Sequence, residues 1–184
     1  MSDNSTEEKL DKTTKELYLS LADYNDLFSD FDPRDYAVRE ISDDLITELK
    51  RQLEDFYYPK VTLNLYLKNH IRNQNEEKII KKRLIEHFVF HENRYKIERK
   101  KILLQGIIFN IIGISLIVFS GFLALKSGEK NSLFTALDLA LQPIGWFLFW
   151  EGSNLLIFEL KKYSKHLGFY KSISNCKINF LDKI

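Results

Sequence analysis

Cysteine is nearly missing. The single Cys176 excludes an internal disulfide framework and any multi-cysteine metal site, and it reads as a small apolar strand residue. An excess of one charge is missing too. Lys and Arg number 27 against 26 Asp and Glu, which argues against a nucleic-acid binder or an acidic tail protein. No Gly-rich phosphate loop, nucleophile elbow or His-Glu zinc motif occurs, so neither an enzyme nor a cofactor is expected. Asp32, Asp35, Glu40, Asp43 and Asp44 lack the spacing and the turn glycine of a calcium loop, and read as a solvated, helix-capping stretch. His87 and His91 are spaced for two metal ligands on one helix and His70 could approach. No Cys or acidic triad completes a shell, so no metal is expected. There is no internal repeat.

What is present is uneven. Residues 1–60 carry 16 acidic and 8 basic side chains, whereas residues 61–184 carry 10 acidic and 19 basic. Ile102 to Leu125 is a run of 24 residues without a charge. At about 1.5 Å per residue it covers roughly 36 Å, against a hydrocarbon core of about 30 Å. Apolar residues cover all its sides, so no face is left for water. A cleaved signal peptide is excluded by its position, a hundred residues into the chain.

A second stretch, residues 133–158, contains no Lys or Arg but is interrupted by Asp138, Gln142, Pro143, Glu151 and Asn154. It reads either as a second span or as a segment that dips in and turns back at Pro143. Charge placement favours the span. Seven basic residues lie in the twenty positions before Ile102 and five in the twenty after Phe158, with two in the connector Lys126–Asn131. The positive-inside rule then puts both flanks in the cytoplasm and the connector outside.

Outside these stretches, residues 1–15 read as a disordered tail and residues 16–31 as a short helix broken at Asp32-Pro33. Ser42 with Asp43 and Asp44 starts a helix that runs to about Asp55. Val61, Leu63, Leu65 and Leu67 alternate with polar residues and predict a strand. With no Gly or Pro between Lys60 and Gly106, a helix starting near Glu76 would run unbroken into the first span. Cys176, Ile178 and Phe180 predict a weaker strand. Because two lone strands are unstable in water, residues 172–181 are expected to pair with 61–68 under helix 76–95.

Two constellations lie within the apolar stretches. Gly106, Asn110, Gly113 and Gly121 share one face of the first helix, and Asp138, Gly145 and Gly152 recur every seven residues on the second. Small residues let helices approach closely. Gly106, Gly113, Gly121, Gly145 and Gly152 are therefore candidate packing positions, either within the hairpin or in an oligomer seam. Glu151 lies roughly 10 Å in from the cytoplasmic end, at a depth equal to that of Asn110. An unpaired acid there costs on the order of 2.5–3.5 kcal/mol. It would line an ion path in an oligomer or make a structural bond to Asn110, with Asn154 and Gln105 as further partners. Arg94, Lys96, Arg99, Lys100, Lys101, Lys161 and Lys162 are candidates for anionic lipid headgroups.

Phe31-Asp32-Pro33, the strand Val61–Leu67, His87-Phe88, the basic run Arg94–Lys101 and Gly145-Trp146 with Trp150 carry a resemblance. Over about residues 28–181 the chain resembles uncharacterised small bacterial membrane proteins with a two-helix hairpin and a cytoplasmic α+β domain. The resemblance implies a membrane class and no activity. Glu151 and Asn154 depart from the group's pattern, so no site is carried over.

The expectation is thus an α+β membrane protein, with a two-span transmembrane hairpin and a small cytoplasmic domain formed from N- and C-terminal segments. Its parts are a tail 1–15, a domain 16–101, spans 102–125 and 133–158 around an external loop 126–132, and a tail 159–184 whose strand joins the domain. It would sit in the plasma (inner) membrane with both termini cytoplasmic. Its partners would be membrane lipid and a protein partner or further copies of itself, and not nucleic acid. The expected role is a non-enzymatic scaffold or accessory subunit, with an oligomeric pore as the alternative.

Overall fold

The computed structural model describes residues 14–53, 60–126 and 132–182. It is mostly helical, with one three-stranded sheet and two helices long and apolar enough to cross a membrane. Residues 1–13 of the expected tail and 127–131 of the connector lie outside the described residues. The chain divides into two compact units. One joins residues up to Tyr95 with those from Lys165 onward, and the other is Lys96–Ser164.

In the first unit, strands β1 (Thr14–Ser20), β2 (Lys60–Leu67) and β3 (Lys177–Asp182) form a sheet in the order β1-β2-β3. Both pairings are parallel. The pairing of the C-terminal strand with the strand after Pro59 follows the alternation in both segments. The first strand is a correction. A helix was expected over residues 16–31, but Thr14–Ser20 is strand and only Tyr24–Leu27 makes a 3-10 turn. Leu17, Leu19 and Leu21 fit period two as well as Leu17, Leu21 and Tyr24 fit a helix, and over so short a run the sheet partner decides. The segment expected as strand from 172 is helical through Ser174.

Register explains the core. Leu17, Leu63 and Ile178 form one inward row, and Leu19, Leu65 and Phe180 the next. They join one buried cluster with three helical faces. α1 (Asp43–Leu53) contributes Leu45, Ile46, Leu49 and Leu53. The first turns of α2 (Gln74–Lys126) contribute Ile80, Leu84 and Phe88. The last turns of α4 (Leu160–Ser174) contribute Phe169, Tyr170 and Ile173. α1 starts as the sequence indicates, with the Asp44 amide donating to Ser42 Oγ at 3.2 Å.

Because parallel strands need a crossover between them, helix and strand alternate along the chain rather than segregate as in a typical α+β fold. β1, α1 and β2 make one such unit. The second crossover, from β2 to β3, contains everything between Asn69 and Cys176, including both apolar helices.

Arg72 ties the ends of this unit. Its guanidinium donates to Glu77 Oε1 at 2.8 Å and to Asp182 Oδ1 at 2.8 Å. Tyr24 OH donates to the same Glu77 oxygen and accepts from the Asn73 amide at 2.9 Å. The free edge of β1 is blocked by Gln52, whose side-chain amide bonds both the N–H and the C=O of Tyr18 at 3.1 Å. Such edge protection disfavours pairing with other chains.

In the second unit, α2 continues to Lys126 and is followed by α3 (Ser132–Asn154), a π-helical turn at Leu155–Glu159, and the start of α4. Pro143 lies inside α3 and makes no turn, so the returning segment is not the structure adopted.

Candidate functional site

Two places in the molecule concentrate polar chemistry, one in each unit. In the helical unit it is the seam between α2 and α3. A Cβ placed on Gly113 would lie 2.6 Å from the Phe149 amide nitrogen and 2.8 Å from the Gly145 carbonyl oxygen. One on Gly145 would meet Ile117 at 2.8 Å and the Gly113 carbonyl at 3.0 Å. Gly106 faces Leu156 and Gly152, and Gly152 faces Asn110 and Gly106. The two backbones thus approach as closely as only glycine permits.

Gly121 differs, because a Cβ there would meet nothing within 4 Å. The seam keeps a seven-residue step, through Gly106, Gly113 and Ser120 against Gly152, Gly145 and Asp138. Gly121 is one residue off that step, about 100° around the helix. Ser120, 2% exposed, donates to the Asp138 carboxylate at the end of the seam.

Asn110 does not meet Glu151. Its Nδ2 donates to Gly106 O at 2.9 Å and its Oδ1 accepts from Ser153 Oγ at 3.2 Å. Glu151 and Ser153 flank Gly152 on opposite sides, so equal depth does not bring Glu151 and Asn110 together. Glu151 makes no hydrogen bond or ion pair among the described residues. Asn154 caps the π-helical turn without a side-chain bond. Of the basic candidates, Lys96, Arg99, Lys100, Lys101, Lys161 and Lys162 are exposed at one end of the helix pair. Arg99 Nε donates there to Ser164 Oγ at 3.0 Å. Arg94, also exposed, belongs to the other unit.

In the α/β unit the polar site is a cleft of about 420 Å³ lined by Arg34, Glu40, Arg83, His87, Phe90 and His91. One wall is the loop from Phe28 to Ile41, which is closed by an antiparallel bridge between those two residues. Asp32 holds this loop from inside. It is 8% exposed and accepts from Arg34 Nε and Nη2, each at 2.8 Å, and from the Glu40 amide at 2.7 Å. The Arg34 guanidinium, with the Glu40 and Arg34 backbone amides, holds the Asp32 carboxyl well below the usual carboxylate range. Asp32 is therefore an anchored loop residue rather than part of a solvated stretch.

The other wall is one face of α2, where Arg83, His87 and His91 recur at four-residue steps. Arg83 Nε donates to Arg39 O at 2.8 Å, which joins the walls. Burial pushes the His87 imidazole down to about 4, helped by His91 and Arg83 and opposed by Asp43. Burial also lowers His91, with Arg94 and Lys50 acting in the same direction. The two rings are 4.4 Å apart and open a run of stacked rings through Tyr170, Tyr95 and His166, at steps of 5.1, 5.3 and 5.3 Å. No group of three or more His, Cys, Asp or Glu able to hold a metal occurs among the described residues, and His70 is exposed.

The i, i+4 histidines were legible in sequence, and Arg83 one turn earlier extends the same face. Arg34 was not, because only the folded Asp32 loop brings it to that face. No family model matches the chain, and no curated protein or solved structure matches it.

Proposed function

We propose that the chain is a membrane-anchored, non-enzymatic scaffold or accessory subunit. α2 and α3 would form a two-span hairpin, and the α/β unit would present a protein-binding surface in the cytoplasm. One observation carries the reading. Residues before and after the two apolar helices fold into a single unit around one sheet. A chain that leaves this unit through a bilayer must come back to the same side, and that requires an even number of crossings.

Exposure supports the same reading. Twenty large apolar side chains from Leu104 to Phe158 are exposed among the described residues. Soluble monomers rarely carry contiguous apolar patches beyond a few hundred Å², whereas lipid suits such a surface. The basic residues at one end of the helix pair support a cytoplasmic placement of that end in the plasma (inner) membrane.

Reporter fusions test the topology. A fluorescent protein on the C-terminus should light up, and alkaline phosphatase inserted in the 126–131 connector should be active. The reverse pattern would overturn the reading, as would a water-soluble monomer obtained without detergent. A stoichiometric protein that co-purifies in mild detergent would support the scaffold role. Glu151, with no bond to its neighbours inside an apolar segment, favours an oligomeric pore as a second reading. A stable ring-shaped oligomer whose conductance falls in Glu151→Gln would support the pore, and a particle with the mass of one chain would exclude it.

A further inference from the structure

We infer that the cleft lined by Arg34, Arg83, His87 and His91 binds a small phosphomonoester, with the two guanidinium groups on the phosphate and Phe90 against the organic part. The argument starts from unused donors. Asp32 takes Nε and Nη2 of Arg34, which leaves Nη1. Arg83 gives only Nε to Arg39 O, which leaves both terminal nitrogens. Neither His87 nor His91 makes a hydrogen bond among the described residues. Four side chains with donor capacity to spare thus line one cavity of about 420 Å³, within the usual size of small-molecule sites.

Their positions are set before any ligand arrives. Arg34 is forked onto a buried carboxylate, and Arg83 is tied to a backbone carbonyl. Little rotamer freedom is left to lose on binding. Guanidinium groups that converge from a loop and a helix suit a tetrahedral dianion better than a planar carboxylate, which a single fork satisfies.

The local field has the right sign. Arg34, Arg83, Arg94 and Lys50 stand against Asp32, Glu40 and Asp43, which leaves one positive charge in excess. Neutral imidazoles add hydrogen-bonding capacity without adding charge. Glu40 on the rim would accept from a ligand hydroxyl and would disfavour the higher charge of a di- or triphosphate. Phe90, 63% exposed, touches His91 edge-on at 5.4 Å and leaves an apolar face open. A soluble metabolite and a lipid headgroup both carry this chemistry.

Calorimetric titration of the full chain in detergent distinguishes them. The probes are adenosine 5′-monophosphate, glycerol 3-phosphate and dihexanoyl phosphatidic acid, with adenosine and glycerol as phosphate-free controls. The phosphomonoesters should bind and the controls should not. Tightest binding of the short-chain lipid would name a headgroup, and tightest binding of either other probe would name a soluble ligand. Arg83→Gln should weaken binding about tenfold or more, the loss of a charge-assisted contact. Phe90→Ser leaves the charge of the cleft as it was, gives up only the edge contact of Phe90 with His91, and should weaken binding to a similar extent while the melting temperature stays nearly unchanged. Lys177→Gln, outside the cleft, should leave binding as it was. No binding by any phosphomonoester would overturn the inference. So would binding that Phe90→Ser leaves unchanged, which would mark general attraction to a basic surface.

Discussion

At the scale of single residues, burial decides which groups are chemically quiet. Cys176 is 8% exposed, and burial pushes its thiol up to about 12. The thiolate is the reactive form. N-ethylmaleimide at pH 8 should therefore leave the folded chain unmodified and label it fully after denaturation, as read by intact mass. His87 carries the opposite shift. Its folded value of about 4 lies below the usual value of 6.5, so between these limits the unfolded chain binds more protons. Its contribution to stability is complete above pH 6.5 and is lost as pH falls toward 4. His91 and Arg83 lower it, Asp43 opposes them, and Arg34 and Glu40 face it across the cleft as a pair of opposite charges, so the sign stands. The melting temperature should fall from pH 7 to pH 5, and His87→Gln should flatten the decline. Asp32 acts in the same direction but only at lower pH, because its carboxyl is held well below the carboxylate range.

At the scale of elements, the glycines separate what periodicity can predict from what needs a partner. Gly113 and Gly145 were readable as close-approach positions because each shares one face of its own helix with other small residues. Gly121 was grouped with them by three- and four-residue steps, and only the path of the opposing helix shows that the seam passes through Ser120. The contrast is measurable. Gly113→Leu must push Phe149 and Gly145 aside, an overpacking cost of about 1–3 kcal/mol. It should lower the melting temperature in detergent, whereas Gly121→Leu should leave it nearly unchanged. If both substitutions proved equally harmful, the helices would not pack as described. β1 carries the same lesson. Its seven residues satisfy two periods, and the choice depends on pairing with β2, about 46 positions further along the chain, which no local pattern reveals.

At the scale of the whole molecule, the sheet closes over the full length of the chain. β3 supplies Ile178 and Phe180, and α4 supplies Phe169, Tyr170 and Ile173, to a core that the first ninety-five residues share, and β3 also brings Asp182 to Arg72. The pairing of residues 61–68 with the C-terminal strand was legible because each alternates on its own, whereas β1 was read as a helix. The Arg72 clasp was not, since nothing in the sequence links positions 110 residues apart. The α/β unit should therefore depend on its C-terminal strand. A chain that stops after Ser174 loses one of two partners of β2 and exposes Leu63 and Leu65 along that edge. Limited trypsin digestion in detergent should then cut within residues 60–95, at sites protected in the full chain. The apolar helices, whose close contacts lie within their own unit, should stay intact. A milder break makes the same point. Glu77→Ala leaves the Arg72 charge with Asp182 as its one remaining carboxylate and removes the acceptor of Tyr24. Removing one partner of a buried pair costs about 3–5 kcal/mol; with Arg72 side-chain exposure at 24% the lower end applies. The full-length Glu77→Ala variant should show the same tryptic sites at intermediate rates. If neither change opened the first ninety-five residues to protease, the two ends of the chain would fold independently, and the requirement for an even number of crossings would lose its basis.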